Sequence, residues 1–348
     1  LESGQSSVSS LVVDGRSRVR AGSWGWGIAI IDRQNRDYIY VKAISPVERP
    51  SLSSGFFGSV CIDPYNNGVW IGTHPGIYFY DFETDELLSP IEPDVVGNTY
   101  SPLGAILLSN GTLWMGSADG VFVIDLFSRH DNTFAYRQLK YKLDHPESGI
   151  RERITCFYET SDSILWIGSN GNGIYRHKPS ATGLFEFECY NTKHGLISNN
   201  ILGILEDDRG MLWISTNYGL SCFNPANESF TNYTEEDGLV NNRFYWNAFC
   251  KSSEGRMYFG GLGGLTVLDG INREYLNAPA KVILTRLRVK NEEIYAGNKG
   301  LSTDVSVARE LHLHERDNSF SLEFSSLNYE SRATTLYSYR LKGFDENW

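Results

Sequence analysis

A short block of residues recurs along the chain about every 45–50 residues, and this repetition restricts the fold more than any other feature of the sequence. The clearest copy, GMLWISTNYGLSCFNP, occupies residues 210–225 and combines an aromatic ring, a small residue two positions later and a second apolar run. Related blocks occupy residues 17–32, 68–81, 111–125, 164–179 and 255–269. Six copies in one chain indicate a repeat fold.

Each repeat has room for four short strands. An apolar run that ends in a polar turn precedes every block and predicts strand A, as in ILGILEDDRG. The LWIG-like stretch predicts strand B, the next apolar run strand C, and a looser segment such as residues 229–234 strand D. Four short strands per repeat are typical of a β-propeller blade, whereas the apolar spacing of helical repeats is not seen. The sequence therefore predicts an all-β chain with a β-propeller over residues 1–275.

The aromatic residue of strand B is predicted to anchor neighbouring blades. A single four-stranded sheet cannot bury both its faces, so each blade packs against the next, and a large ring supplies much of the buried area. The small residue two positions later lets the neighbouring sheet approach closely. In the first copy Arg20 takes the aromatic position, so that blade is either divergent or shifted in register relative to the other copies. The predicted structural anchors are Trp70, Trp114, Trp166, Trp213 and Tyr258.

Composition excludes several classes of partner. The formal net charge is −11, and an acidic surface repels phosphate backbones, so we expect no nucleic acid contact by this chain. Five cysteines lie far apart with no CxxC and no Cys/His cluster, which predicts buried free thiols and no metal site, with a cross-strand disulfide as the alternative. No apolar run is long enough to span a bilayer, so membrane contact is expected only through segments outside this sequence.

Two sets of motifs resemble a known family. LWIG-like strands followed by a GL-containing strand resemble the two-component regulator propeller repeats of periplasmic sensors in hybrid two-component systems, best known from gut Bacteroidetes. The segment YSYRLKGFDENW, residues 337–348, resembles the signature of the Y_Y_Y domain that follows such propellers. Residues 282–294 and 318–331 fit the early strands of that domain.

The resemblance implies an architecture and a location. It implies a seven-bladed ring, with six repeats present here and one blade expected upstream, followed by an incomplete immunoglobulin-like β-sandwich over residues 276–348. It also implies a periplasmic location and a histidine kinase outside this chain. A homodimer formed through the sandwich is one option.

The two ends of the predicted ring differ in their side chains. The D–A connections between blades and the B–C loops within them share one end, here called the loop face, and the A–B turns form the other, here called the turn face. The loop face carries aromatic rings beside Asn and Arg, which suits stacking on sugars and bonding to their hydroxyl groups. Asn also serves loop geometry, so each amide has a structural alternative. The candidate ligand-binding residues are Trp24, Trp26, His74, Arg151, Asn170, Asn172, Asn199, Asn200, Tyr218, Asn242, Arg243, Tyr245 and Trp246.

The acids of the turn face are expected to form turns. Asp63, Glu159, Asp207 and Asp208 end strand A or follow it, where Asx caps are common. Calcium at the loop that begins with Asp63 is a minor alternative. The loop resembles an EF-hand loop only in part, since His74 stands where that loop requires a bidentate Glu. No metal, cofactor or phosphate-binding loop is predicted.

Three functions are compatible with these sequence features. The first is the extracytoplasmic sensing part of a hybrid histidine kinase, which binds an oligosaccharide on the loop face and relays the signal through the sandwich to the membrane. The second is a protein-interaction propeller without a small ligand. The third is a propeller glycosidase or lyase, which needs converging acids. The candidate ligand face is poor in acids, so no catalytic residue is predicted and the chain is not expected to be an enzyme.

Overall fold

The fold is described from a computed structural model. It describes residues 8–13, 18–23, 27–32, 40–44, 57–73, 76–84, 86–91, 104–117, 120–139, 153–178, 185–269, 282–298, 301–308, 310, 312–313, 317, 319–326, 339–340 and 342–343. The chain divides into two compact units, Leu1–Gly270 and Ile271–Trp348.

Six antiparallel sheets form the first unit, and in each sheet consecutive strands lie side by side. Blade 1 contains β1 (Val8–Val13), β2 (Val19–Ser23), β3 (Gly27–Asp32) and β4 (Tyr40–Ile44); blade 2 contains β5 (Phe57–Asp63), β6 (Gly68–Thr73), β7 (Ile77–Asp81) and β8 (Glu86–Leu88). Blade 3 contains β9 (Ala105–Leu107), β10 (Thr112–Ser117), β11 (Gly120–Asp125) and β12 (Tyr136–Leu139); blade 4 contains β13 (Ile154–Glu159), β14 (Leu165–Ser169), β15 (Ile174–Lys178) and β16 (Glu186–Tyr190). Blade 5 contains β17 (Ile201–Glu206), β18 (Leu212–Thr216), β19 (Leu220–Asn224) and β20 (Ser229–Tyr233); blade 6 contains β21 (Phe244–Lys251), β22 (Met257–Gly261) and β23 (Gly264–Leu268). The chain is an all-β propeller, with 3-10 turns at Leu126–Ser128, Thr192–His194 and Glu235–Asp237.

The tryptophans of strand B lie in the cores between blades. Trp166 of blade 4 packs with Ile201 and Phe223 of blade 5, and its ring centroid lies 5.5 Å from that of Phe223. Trp70, Trp114 and Trp213 are buried in the same way against the blade that follows each of them. Tyr258 of blade 6 is only half-buried.

The glycine of the LWIG block makes room for the next blade. A Cβ atom at Gly116 would lie 2.7 Å from the Ile154 side chain, and one at Gly168 would lie 2.7 Å from that of Ile201. Real Cβ atoms essentially never make contacts this short, so a side chain at either position forces the blades apart. The glycine is therefore part of the seam between blades.

Arg20 replaces the tryptophan of blade 1 without breaking the repeat. It pairs with Val12 and Ile30, in the register that Trp70 has with its neighbours in blade 2. Its guanidinium lies 3.7 Å from the ring centroid of Phe82 in blade 2, and the residue is buried. A cation–π contact therefore fills the space that an indole fills elsewhere, and blade 1 is divergent rather than shifted in register.

Among the described strands, the ring is open between blade 6 and blade 1. On strand C of blade 6, Leu265 is 51% exposed, whereas Leu220 at the same position of blade 5 is fully buried. On strand A of blade 1, Val8 is 58% exposed, whereas Ile201 at the same position of blade 5 is fully buried. Both sides of this seam therefore expose apolar positions that are covered by a neighbouring blade at the other seams.

All five cysteines are described, and all five are free thiols. The disulfide alternative is therefore wrong. Cys156 and Cys222 are buried as predicted, and Cys61 and Cys189 are partly buried. For Cys250 the prediction is wrong, because it is exposed. Burial raises the pKa of Cys61 and of Cys156 to about 12, so these two remain protonated at neutral pH and act as small apolar side chains.

The second unit contains one antiparallel sheet in the order β25-β24-β26. Its strands are β24 (Val282–Val289), β25 (Glu292–Glu293) and β26 (Phe320–Ser326). Lys290 and Asn291 both have positive φ, 52° and 66°, which is the backbone of the tight turn that joins β24 and β25. Leu287, Val289, Ile294 and Leu301 form its small core.

Candidate functional site

The B–C loops of the loop face are fixed by residues at the ends of strands. In four blades, the last residue of strand B has a buried hydroxyl that donates to the carbonyl of the glycine that opens strand C. These pairs are Thr73–Gly76 (3.2 Å), Ser117–Gly120 (3.0 Å), Ser169–Gly173 (2.8 Å) and Thr216–Gly219 (2.8 Å). Each bond therefore closes the base of its B–C loop. In blade 5, the side chain of Tyr218 at the loop tip stays exposed.

Asn170, Asn172, Asn199 and Asn200 come together where blade 4 meets blade 5. Asn170 forms a backbone bridge with Asn200, and its N–H donates to the carbonyl of Arg153 at 2.9 Å. The Asn172 side-chain amide donates to the Tyr175 hydroxyl at 3.0 Å. The Asn199 carbonyl accepts from the N–H groups of Gly171 and Gly173 at 3.1 and 3.0 Å. Backbone bonds thus join Asn199 and Asn200 to the B–C loop of blade 4, which also carries Asn170 and Asn172.

Two of the predicted amides hold loops. The Asn199 side-chain oxygen accepts from the Thr192 N–H at 2.9 Å, and the Asn242 side-chain oxygen accepts from the Glu235 N–H at 2.8 Å. Each bond ties the strand-A entry to a 3-10 turn that precedes it. The sequence signal is the segment GLISNN at residues 195–200, matched by GLVNN at residues 238–242. These two amide oxygens therefore serve loop geometry, which is the alternative to ligand contact given above.

The rings of blades 5 and 6 are the exposed part of the candidate site. Tyr218 is 65% exposed, Tyr245 55% and Trp246 37%, and Arg243 is also exposed. The Arg153 guanidinium of blade 4 lies 5.6 Å from the Trp246 ring centroid, within cation–π range. Trp246 and Arg153 are therefore brought together from different blades. Trp24, Trp26, His74 and Arg151 lie outside the described residues.

Blade 6 has an enlarged bulge at the start of strand A. In blades 4 and 5 this strand carries a single extra residue, between Ile154 and Cys156 and between Ile201 and Gly203. In β21, Phe244 pairs with Gly261 and the next pair is Phe249 with Phe259. The segment Tyr245–Ala248, here called the blade 6 insertion, is thus longer than its counterparts.

Asn247 in this insertion joins three blades and was missed by sequence reasoning. Its φ of 54° is left-handed, a backbone that Asn tolerates better than most residues. Its side-chain amide donates to the carbonyls of Ser9 in blade 1 and Gly58 in blade 2, at 3.2 and 3.3 Å. The signal available in the sequence was the extra length of the run RFYWNAFC in the sixth repeat.

Among the acids of the turn face, Asp63 and Asp207 form turns as expected. Glu159 and Asp208 instead accept from Ser109 and Lys251 of neighbouring blades. Asp63 accepts from the N–H groups of Tyr65 and Asn66, both at 3.0 Å, and from the Trp70 indole at 3.0 Å. Asp207 accepts from the Trp213 indole at 3.2 Å. Asp63 thus commits its carboxylate to the turn and to the buried ring.

Comparison with known proteins identifies the repeats. A family model described as two component regulator propeller matches residues 148–171 and 195–218. Histidine kinase P4 of Formosa agariphila is 27% identical over 287 residues, which covers 80% of this chain and 20% of that protein. The chain thus spans a fifth of the length of this curated relative.

Two solved structures share the fold. The extracellular domain of hybrid two component system BT3049 from B. thetaiotaomicron matches with a TM-score of 0.51 and 23% identity, over 93% of this chain and 47% of that one. A catalytically inactive virginiamycin B lyase from Staphylococcus aureus matches with a TM-score of 0.56 and 14% identity, over 78% of this chain and 84% of that one. No helix among the described residues is long and apolar enough to cross a membrane.

Proposed function

Because the chain carries two-component regulator propeller repeats, we propose that it is the extracytoplasmic sensing part of a hybrid histidine kinase. The ligand is an oligosaccharide that binds on the loop face and contacts Trp246, Tyr245 and Tyr218. The support for the kinase connection is the match to a histidine kinase over most of this chain. The second unit relays the bound state toward the membrane, and this part of the intact protein lies in the periplasm.

One observation carries the ligand part of the proposal. Three aromatic rings stay exposed on the loop face, beside an arginine that contacts one of them. Tyr and Trp rings offer a large apolar area for a sugar to stack on and have few rotatable bonds to restrict on binding. Binding can then shift the sensor only if the two signalling states differ in affinity for the ligand.

An enzymatic role receives less support from the loop face. The carboxylate of Glu235 accepts from the Asn242 N–H at 3.1 Å, and that of Asp237 accepts from the Thr234 N–H at 2.9 Å. Acids held by their own loop are poorly placed to act as a hydrolytic pair. The lyase similarity concerns the fold, at 14% identity.

Isothermal titration calorimetry tests the proposal. The chain is titrated with cello-, xylo- and galacturono-oligosaccharides of about four to six units, and we expect saturable heat from at least one of them. Trp246→Ala should weaken that binding about fivefold or more, because removing an aromatic ring on which a base stacks costs on the order of 1–3 kcal/mol and we expect a similar loss for a sugar. Tyr65→Ala removes an exposed ring from the turn face and should leave the affinity unchanged. Equal losses in both variants, or no heat with any oligosaccharide, would contradict the proposal.

Chromatography of the same mixtures distinguishes sensing from catalysis. We expect every oligosaccharide to be recovered intact after prolonged incubation with the chain. Shortened or unsaturated products would favour the glycosidase or lyase alternative.

A further inference from the structure

The seam between blade 6 and blade 1 is the one place where the described ring presents bare apolar surface on both sides. Leu265 and Val267 are exposed on blade 6, and Val8 and Leu11 are exposed on blade 1. At the seam between blades 4 and 5, the corresponding surfaces meet around Trp166. Among the described residues, these two sides therefore have less packing between them than the seams on which the tryptophans lie, and this is where the seventh blade implied by the resemblance is expected.

The blade 6 insertion crosses this weak place at the centre of the loop face. Asn247 reaches backbone carbonyls in β1 and β5, while the adjacent Trp246 lies against Arg153 at the start of β13. Four residues of one blade thus contact three other blades. Such a span requires the segment to lie over the middle of the ring, since blades 1, 2 and 4 surround it on different sides.

The two functions of the insertion are one residue apart. Trp246 is in the set of exposed rings proposed to stack on the ligand, and Asn247 makes the bonds across the seam. A bound sugar that orders the Trp246 ring also restricts the backbone that positions the Asn247 amide. In the same way, loss of the Asn247 hydrogen bonds makes the insertion more mobile and leaves the Trp246 ring without a fixed position.

We infer that the blade 6 insertion is a clasp, in which Asn247 ties blade 6 to blades 1 and 2 and ligand contact with Trp246 tightens that tie. This inference rests on the proposed oligosaccharide site for its ligand half. The clasp half stands on the two hydrogen bonds and the open seam. It gives the sensor a structural element whose stability depends on occupancy, as an allosteric coupling requires.

Hydrogen–deuterium exchange of the whole chain, read by mass spectrometry, tests the clasp half without a ligand. Asn247→Gly keeps the left-handed backbone accessible and removes only the amide. We expect exchange in residues 8–13 and 57–63 to become about tenfold faster, as the loss of two neutral hydrogen bonds implies. Asn67→Gly is the matched control, because Asn67 also has a positive φ, 49°, but lies in an A–B turn. Unchanged exchange at both segments in Asn247→Gly would overturn the inference.

The ligand half is tested by repeating the measurement with the oligosaccharide mixture used for calorimetry. We expect slower exchange at residues 8–13 and 57–63 in the native chain, and no slowing in Trp246→Ala. Heat of binding without any change at these segments would overturn the clasp while the proposed function stands. Absence of heat would overturn the proposed function and the ligand half together, while the exchange of Asn247→Gly alone still decides whether the amide ties the seam.

Discussion

The turn face and the loop face of the propeller use their polar side chains in opposite ways. On the turn face, side chains bond across the seams: the Ser109 hydroxyl donates to Glu159 at 2.8 Å, and the Ser161 hydroxyl donates to Glu206 at 3.0 Å. On the loop face, buried hydroxyls and backbone groups fix the loops, and rings such as Trp246 stay exposed. The turn face thus uses carboxylates to hold successive blades together, while the loop face combines the contacts of Asn247 between blades with exposed rings for recognition.

The largest effect should come from removing a ring at a seam. Trp213→Ala deletes a buried indole that contacts Phe244 and Phe259 of blade 6 and should lower the free energy of unfolding by about 3–5 kcal/mol. Trp246→Ala should lower it by less than about 1 kcal/mol. Urea denaturation followed by circular dichroism measures both. A greater loss in Trp246→Ala would show that the blade anchor and the site residue have been confused.

A smaller loss is expected from crowding a seam. Gly168→Val places a side chain where the Cys156 sulfur would lie 2.5 Å from its Cβ, and the overpacking should cost about 1–3 kcal/mol. Chemical denaturation again gives the value.

Ile201→Ala in the same chain tests the cause of that loss. It removes the other side chain that faces Gly168, so the two substitutions together should cost less than the sum of the single losses. Additive losses would mean that the crowding is not at this seam.

The seam between blades 5 and 6 allows a charge test of the turn face. Lys251 donates to Asp208 at 2.7 Å. Lys251 takes the position that Glu206 has at the preceding seam, and Asp208 takes the position of Ser161. Lys251→Glu should cost about 0.5–1 kcal/mol, since it places two acids together on an exposed surface. Adding Asp208→Ser creates a Ser–Glu pair like the one at the preceding seam and should recover the lost stability. Thermal melts at low and high salt measure this; absence of rescue would refute the equivalence of the seams.

The smallest effect concerns pH. His177 lies between Trp114 and Phe185, with ring centroids 5.8 and 5.7 Å away, and burial lowers its pKa below the usual 6.5. The unfolded chain then binds the proton more readily, so the His177 contribution is complete above about pH 6.5 and is lost as the pH falls below it. Between pH 7.5 and 5.5 the melting temperature of the native chain should fall more than that of His177→Phe. Equal falls would exclude this residue as the cause.

Periodic features of the fold could be predicted from the sequence, and features that depend on a single contact could not. The strands, the blade order and the buried positions of Trp70 and Trp166 follow from the repeat, because each copy repeats the same packing problem. The contact between Arg20 and Phe82 breaks that pattern in one blade, and Asn247 acts through the backbone carbonyls of distant strands. Neither contact leaves a periodic signal.

The candidate site was predictable as a face but not residue by residue. Loop order alone places Asn199, Tyr218 and Trp246 at the same end of the ring. The sequence does not distinguish an asparagine whose oxygen accepts from its own loop, such as Asn199, from a ring that stays exposed, such as Tyr218. That distinction depends on which backbone N–H groups lack a partner, and this is decided only when the loop has closed.

The seams of the turn face also bear on the order of assembly. Because all six blades are built alike, nothing in their apolar faces alone prevents blade 4 from docking against blade 6 with blade 5 left out. Ser161 would then meet Lys251 in place of Glu206, and both the hydroxyl and the ammonium would lose the carboxylate that each contacts at its own seam. Small polar pairs that add little to the total stability thus favour correct assembly, because each pair is complete only when a blade docks against the one that follows it in the chain.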